Sequence, residues 1–188
     1  MNENARMFGV ALLILTMIVA VILGLVAGPT NPLTWLLVVI LVLLPFIHRK
    51  LTEKRYFKWK NEYSVGIESI DLQHKKLINL INQLQTAVDY STGETFEREA
   101  LDELVEYTVT HFRYEENLME EHAYPDFEAH RKQHDNMVKK VTEVVDNYKE
   151  NKDNAMKEAT AYLKDWLINH INGTDKQYSD FLIGKGVK

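Results

Sequence analysis

Cysteine is absent from the 188 residues, which excludes disulfides, thiolate zinc sites and cysteine-ligated iron–sulfur clusters. Charge is absent from Met7 to Ile47, and with it the polar face that a helix of a soluble domain needs. Strand-period alternation, internal repeats and low-complexity tracts are missing throughout. Missing too is a basic face on the larger part of the chain: residues 61–188 hold 15 basic and 25 acidic side chains. Phosphate binding needs such a face, so nucleic acid is excluded as its partner.

What is present falls into three parts. The net charge of -5 averages over unlike segments. In residues 49–60, Arg49, Lys50, Lys54, Arg55, Lys58 and Lys60 stand against one acid, Glu53. Before them, residues 1–48 read as a membrane anchor. Phe8 to Ala27 is a run of twenty residues, almost all apolar, roughly 30 Å of helix and a match to the bilayer's hydrocarbon thickness. Gly28-Pro29-Thr30-Asn31-Pro32 breaks it. A second span is expected over about 31–47; its apolar stretch, Leu33 to Ile47, is short, with Pro45 near its end. The first run is too long for a signal-peptide core and is followed by a second, which favours two spans over a cleaved leader. Arg6 precedes the first span and the six basic residues follow the second. The positive-inside rule therefore places both ends in the cytoplasm, with the basic segment against anionic headgroups.

From residue 57 to about 184 the pattern is helical. Leu72, Leu77, Ile78, Leu80, Ile81, Leu84 and Val88 form a stripe over 70–89, with Ser69 or Asp71 as its cap. Ser91-Thr92-Gly93 ends that helix, and a second stripe runs over 95–121 through Phe96, Leu101, Leu104, Val105, Val109, Phe112 and Met119. Pro125 suits the start of a third helix that continues to about Lys149. Asn151 to Asn154 reads as a loop. A fourth helix is expected from about Ala155 towards Ile171, with a break at Asn172-Gly173 before a last turn through Phe181. Four helices with short connections predict an all-α, up-down-up-down bundle.

Six of the seven histidines lie in that part. His111 and Glu115 are four apart, as are His130 and His134, and this spacing stacks each pair on one helix face. His74 sits on the first helix; His170 sits on the fourth, near Asp175. Either pair alone is an ordinary solvated contact. Together, every helix supplies an imidazole and two supply carboxylates, and such a set turned into a bundle core suits iron or zinc. His130-x-x-x-His134 has Arg131 after its first histidine, so it is not a zincin protease motif. His170 and Asp175 are five apart, about 140° round a regular helix, and need a local distortion to face one metal. His48 reads as interfacial and His122 as a helix-end residue. Phe112, Met119 and Trp166 read as core packing, which explains Leu118 as well as a place beside a ligand pocket does.

The sequence resembles the hemerythrin family. The resemblance is carried by Trp59-Lys-Asn-Glu-Tyr-Ser-Val-Gly-Ile67, Ile70-Asp-Leu-Gln-His-Lys-Lys-Leu77, His111-Phe-Arg-Tyr-Glu-Glu-Asn-Leu-Met119, Tyr124-Pro125, His130-x-x-x-His134 and Trp166-Leu-Ile-Asn-His-Ile-Asn-Gly-Thr-Asp175. It spans about residues 57–184 and leaves out the hydrophobic hairpin. It implies two non-haem iron ions bridged by Glu115, Asp175 and an oxo or hydroxo group. His130, His134 and His170 would complete one iron, and His74 and His111 the other. Three imidazoles plus three bridges make six ligands, whereas two plus three make five. The iron of His74 and His111 therefore keeps the vacancy at which dioxygen would bind.

The function this implies is reversible dioxygen carriage or storage at the membrane rather than catalysis, with dioxygen, the lipid bilayer and a membrane oxidase as partners. A sensor of oxygen, redox state or nitric oxide is the first alternative; its signal would have to pass through the spans or a partner. A di-iron oxidase or peroxidase is the second, although no additional acid–base residue stands out beside the ligands.

Overall fold

A computed structural model describes residues 3–28, 30–53, 56–90, 93–147 and 152–188. Side chains are described over 8–28, 30–50, 56–90, 93–143 and 156–188. Pro29, Lys54, Arg55, Ser91, Thr92, Lys149 and Asn151, which carry expectations above, lie outside the described residues, as does the side chain of Arg6. The chain divides into two compact units, Met1–Tyr56 and Phe57–Lys188. No strand occurs among the described residues.

The first unit is a pair of helices, α1 (Glu3–Ala27) and α2 (Pro32–Glu53). Gly28 ends α1 with φ 153°, a conformation that side chains disfavour. Asn31 Oδ1 then accepts the Leu33 N–H at 2.9 Å, so Asn31 caps α2 and Pro32 takes the first helical position, where its missing N–H costs nothing. The second helix is longer than its apolar run. Pro45 lies inside α2 and the helix continues to Glu53, because one proline forfeits one hydrogen bond without stopping the turns on either side. Phe8–Ala27 and Pro32–Lys50 are long and apolar enough to cross a membrane. Their side chains face outward, Phe8 being 71% and Val26 81% exposed. The helices pack closely at Gly24 and Thr34: a Cβ on Gly24 would stand 2.3 Å from Thr34 Oγ1. His48 is exposed on the last part of α2.

The second unit begins with an arm that contains a 3-10 turn, Asn61–Tyr63. It continues through α3 (Glu68–Asp89), α4 (Glu94–Glu121), α5 (Phe127–Asn147) and α6 (Lys152–His170). A π-helical turn, Ile171–Asp175, then leads into α7 (Lys176–Gly184). Contacts of α3 with α4, α4 with α5, α5 with α6 and α6 with α3 close the ring of a four-helix bundle. The inner faces carry Ile70, Leu77, Ile81 and Leu84 from α3, Leu101, Leu104 and Met119 from α4, Met137 and Val141 from α5, and Leu163 and Leu167 from α6, at the three- and four-residue spacing of one helix face.

Several expectations are corrected. Leu72 and Phe96 point to solvent, 56% and 63% exposed; each falls outside the arc that its helix turns inward. Lys152 to Asn154 belong to α6 rather than to a loop. The first turn of α3 is not capped by Ser69 or Asp71: the N-cap is Ile67, which has no side-chain acceptor. Asp71, one turn in, reaches back instead and accepts the Val65 N–H at 2.8 Å and the Ser64 hydroxyl at 2.5 Å. Asn82 fixes the start of the arm, exchanging two hydrogen bonds with the Phe57 backbone. Asp71→Ala is expected to cost about 1–2 kcal/mol by stranding one backbone and one hydroxyl donor, measurable as a lower denaturant midpoint at unchanged slope.

The α4–α5 corner has no glycine. Ala123 takes the left-handed position with φ 53°, and Tyr124 N and Ala123 N bond back to Met119 O and Glu120 O in the Schellman pattern. His122 is the C-cap residue there, its Nδ1 2.9 Å from Leu118 O. Leu118 itself packs against the core.

Candidate metal centre

Seven side chains from the four helices meet at one level of the bundle. His74 comes from α3, His111 and Glu115 from α4, His130 and His134 from α5, His170 from α6, and Asp175 from the turn that follows. All are 0–4% exposed. The expected break at Asn172-Gly173 is not a break. The helix widens by one residue over Ile171–Asp175 and continues. Such a turn brings residues five apart onto one face, and His170 Nε2 lies 3.1 Å from Asp175 Oδ1.

The two carboxylates each divide their oxygens between two groups of imidazoles. Glu115 Oε1 is 3.5 Å from His74 Nε2 and 3.3 Å from His111 Nε2. Its Oε2 is 3.5 Å from His134 Nε2 and 3.9 Å from His130 Nε2. Asp175 Oδ2 is 3.3 Å from His74 Nε2, while its Oδ1 is 3.7 Å from His130 Nε2. Two sets of donors able to hold a metal ion result: His130, His134 and His170 with Glu115, and His74 and His111 with the same Glu115.

The donor set fits metal ions on three counts. First, His134 Nε2 lies 3.1 Å from His130 Nε2 and 3.0 Å from His170 Nε2. Neighbouring ligands of an octahedral ion with bonds of about 2.1 Å stand about 3.0 Å apart. Second, His74 Nε2, Glu115 Oε2 and both Asp175 oxygens are buried without a hydrogen-bond partner, a cost that native structures rarely carry. Third, two carboxylates at 0% exposure demand positive charge.

The electrostatics agree. Burial of the Glu115 carboxyl is outweighed by the surrounding imidazoles of His111, His130 and His74, which leave it well below the usual carboxylate range. Burial lowers His111 to about 4, His134 to about 2 and His170 below its ordinary value, so these three rings are neutral at pH 7 with a lone pair to offer. His74 is the exception. Burial opposes its charge, but Asp175 and Glu115 outweigh it and raise His74 to about 9. In the metal-free chain its proton supplies the cation that the carboxylates lack.

Aromatic rings back the ligands. Phe112 stacks on His134 with centroids 3.6 Å apart and planes at 4°. Trp166 stacks on His170 at 4.2 Å and 18°. In the sequence both residues read as plain packing; their place behind the imidazole rings follows from the tertiary structure. Tyr178, wholly buried, donates its hydroxyl to Glu115 Oε1. Sequence reasoning missed it, although it stands three residues after Asp175 on the same helical face. Burial and the two carboxylates push its phenol well above its ordinary pKa, so it remains a donor. Tyr178→Phe is expected to cost about 1–3 kcal/mol, read by denaturant unfolding of the metal-free chain.

Comparison with known proteins places residues 65–182 in the hemerythrin HHE cation-binding domain. The hairpin helices lie outside that match. A bacteriohemerythrin of Stenotrophomonas maltophilia is 38% identical over 122 residues, covering 65% of this chain and 78% of the relative. One from Methylococcus capsulatus is 32% identical, covering 64% and 92%. A crystal structure of wild-type hemerythrin superposes with a TM-score of 0.60 at 30% identity, covering 67% of this chain and 97% of that one.

Proposed function

The chain belongs to the hemerythrin family, and on that premise we propose that it binds dioxygen reversibly at a di-iron centre as a membrane-tethered carrier or store. The observation that carries this reading is the unequal division of donors: three imidazoles on one side of the shared carboxylates and two on the other. His130, His134 and His170 would hold one iron and His74 and His111 the other, and the smaller donor set would leave room for a small ligand. When bound, a pair of ferrous ions would supply two electrons and a site for that ligand.

The residues of the chain do the rest. Glu115 and Asp175 each face both groups of imidazoles and would offset the charge of the ions held there. Phe112 and Trp166 fix the ring planes of His134 and His170 and exclude water from behind them. Tyr178 keeps Glu115 ionised and oriented. Between α4, α5 and α6 lies a half-open, largely apolar pocket of about 150 Å³, lined by Leu104, Val105, Thr108, Met137 and Leu163, with Asp102 at its edge. The Thr108 hydroxyl is tied back to Leu104 O, which leaves that wall of the pocket mostly apolar, and none of the seven candidate ligands lines it. The chain's own groups bind and shield; as an acid–base set beyond the ligands is not needed for binding, we read it as a binder and not an enzyme. The apolar hairpin would hold the bundle on the cytoplasmic face, where tethering raises its local concentration near a membrane oxidase.

The test is metal analysis of the full-length protein together with its visible spectrum. Two irons per chain, and an absorption band that appears in air and disappears on deoxygenation over repeated cycles, are expected. A stable ferric form that does not cycle would favour a sensor. Turnover with peroxide, ferrous iron or nitric oxide would favour an enzyme. Fractionation should leave the chain in membranes after a high-salt wash; release by salt would refute the spans.

A further inference from the structure

The five imidazoles differ in what holds their outer ring nitrogen. His134 Nδ1 lies 2.8 Å from Glu116 Oε1. His111 Nδ1 lies 3.0 Å from Gln73 Oε1. The Nδ1 atoms of His74, His130 and His170 are buried without a partner. Each half of the centre thus has one braced imidazole, and the two braces differ by a full charge.

That difference matters chemically. A carboxylate that accepts the outer N–H polarises the ring and makes its other nitrogen a stronger donor. An amide carbonyl selects the same tautomer with much less polarisation. Glu116 is suited to the stronger role. Its side chain is 23% exposed, at the edge of a cleft of about 260 Å³ lined also by Val109, Arg113, Asp135 and Val138. Phe112, stacked on one face of the ring, prevents His134 from turning away.

We propose that Glu116 is a positioning residue that makes His134 the strongest donor among the five imidazoles and thereby stabilises the ferric state of the iron bound by His130, His134 and His170. Gln73 leaves the other half less biased. The inference rests on the iron-site reading above.

The experiment uses the full-length chain with Glu116→Gln, Glu116→Leu and the reciprocal Gln73→Glu. One readout needs no iron: nitrogen NMR of histidine-labelled, metal-free protein reports the tautomer. His134 should carry its proton on Nδ1 in the wild type and in Glu116→Gln, and lose that preference in Glu116→Leu. In the iron-loaded protein, Glu116→Gln should favour the ferrous state about 10- to 100-fold, about 60–120 mV at 59 mV per tenfold for one electron, and slow conversion to the stable ferric form. Gln73→Glu should shift the potential the opposite way. The proposal is overturned if His134 carries its proton on Nε2 in the metal-free wild type, or if Glu116→Gln and Gln73→Glu leave the potential unmoved or move it the same way. Failure to take up iron would sink the iron-site reading instead, while the tautomer still decides the brace.

Discussion

Glu115→Ala is expected to abolish iron binding in both halves of the centre and, with it, any oxygen-dependent absorption. Glu115 faces both groups of histidines with separate oxygens, 3.3–3.5 Å from His74 and His111 on one side and 3.5–3.9 Å from His134 and His130 on the other. Losing a residue that merely supports a ligand costs about 10- to 100-fold in metal affinity, so losing a shared ligand should cost more than about 100-fold per ion. The metal-free fold should survive, because the substitution also removes a buried carboxylate whose desolvation is unfavourable. Metal analysis beside an unfolding curve separates the two effects. Two irons retained with normal oxygenation in Glu115→Ala would show that the ligand assignment is wrong.

Removal of iron is the second large effect. If each ion is held at about a thousandfold over its dissociation constant, it contributes about 4 kcal/mol to the folded state, and two contribute about 8 kcal/mol. Chelation should therefore lower the melting temperature by more than about 10 °C. It should also introduce a pH optimum that the loaded protein lacks. In the metal-free chain His74 is raised to about 9, so its contribution is complete below about 6.5 and is lost as pH rises towards 9. His111 and His134 are depressed to about 4 and 2, so the unfolded chain takes up protons that they refuse, and stability falls as pH drops below about 6.5. Maximum stability near pH 6.5, flattened when iron is restored, is the expected thermal profile. Equal melting temperatures with and without iron at neutral pH would mean that these buried groups do not need a metal.

How much of this was legible beforehand depends on the range of each interaction. His111 with Glu115 and His130 with His134 sit one turn apart, and helical periodicity alone stacks such pairs on one face. The hydrophobic hairpin was equally plain, since forty-one uncharged residues interrupted by Gly28 and Pro32 leave little else to form. By contrast, Leu72 and Phe96 entered the expected stripes and turned out exposed. Apolar identity at a near-periodic position does not say which side of the arc the neighbouring helix will cover.

Sequence by itself therefore determined the helices, their order, the apolar hairpin and the residue types gathered for the centre, because all of these follow from local periodicity and composition. Only the tertiary structure decided which atoms face one another. The five-residue step from His170 to Asp175 is reconciled by a π-helical turn, Tyr178 reaches Glu115 across sixty-three positions, and Gln73 and Glu116 brace different imidazoles. Such contacts depend on the rotation and depth of packed helices, which are set by the shapes of side chains distant in the sequence and leave no mark on any short stretch of it.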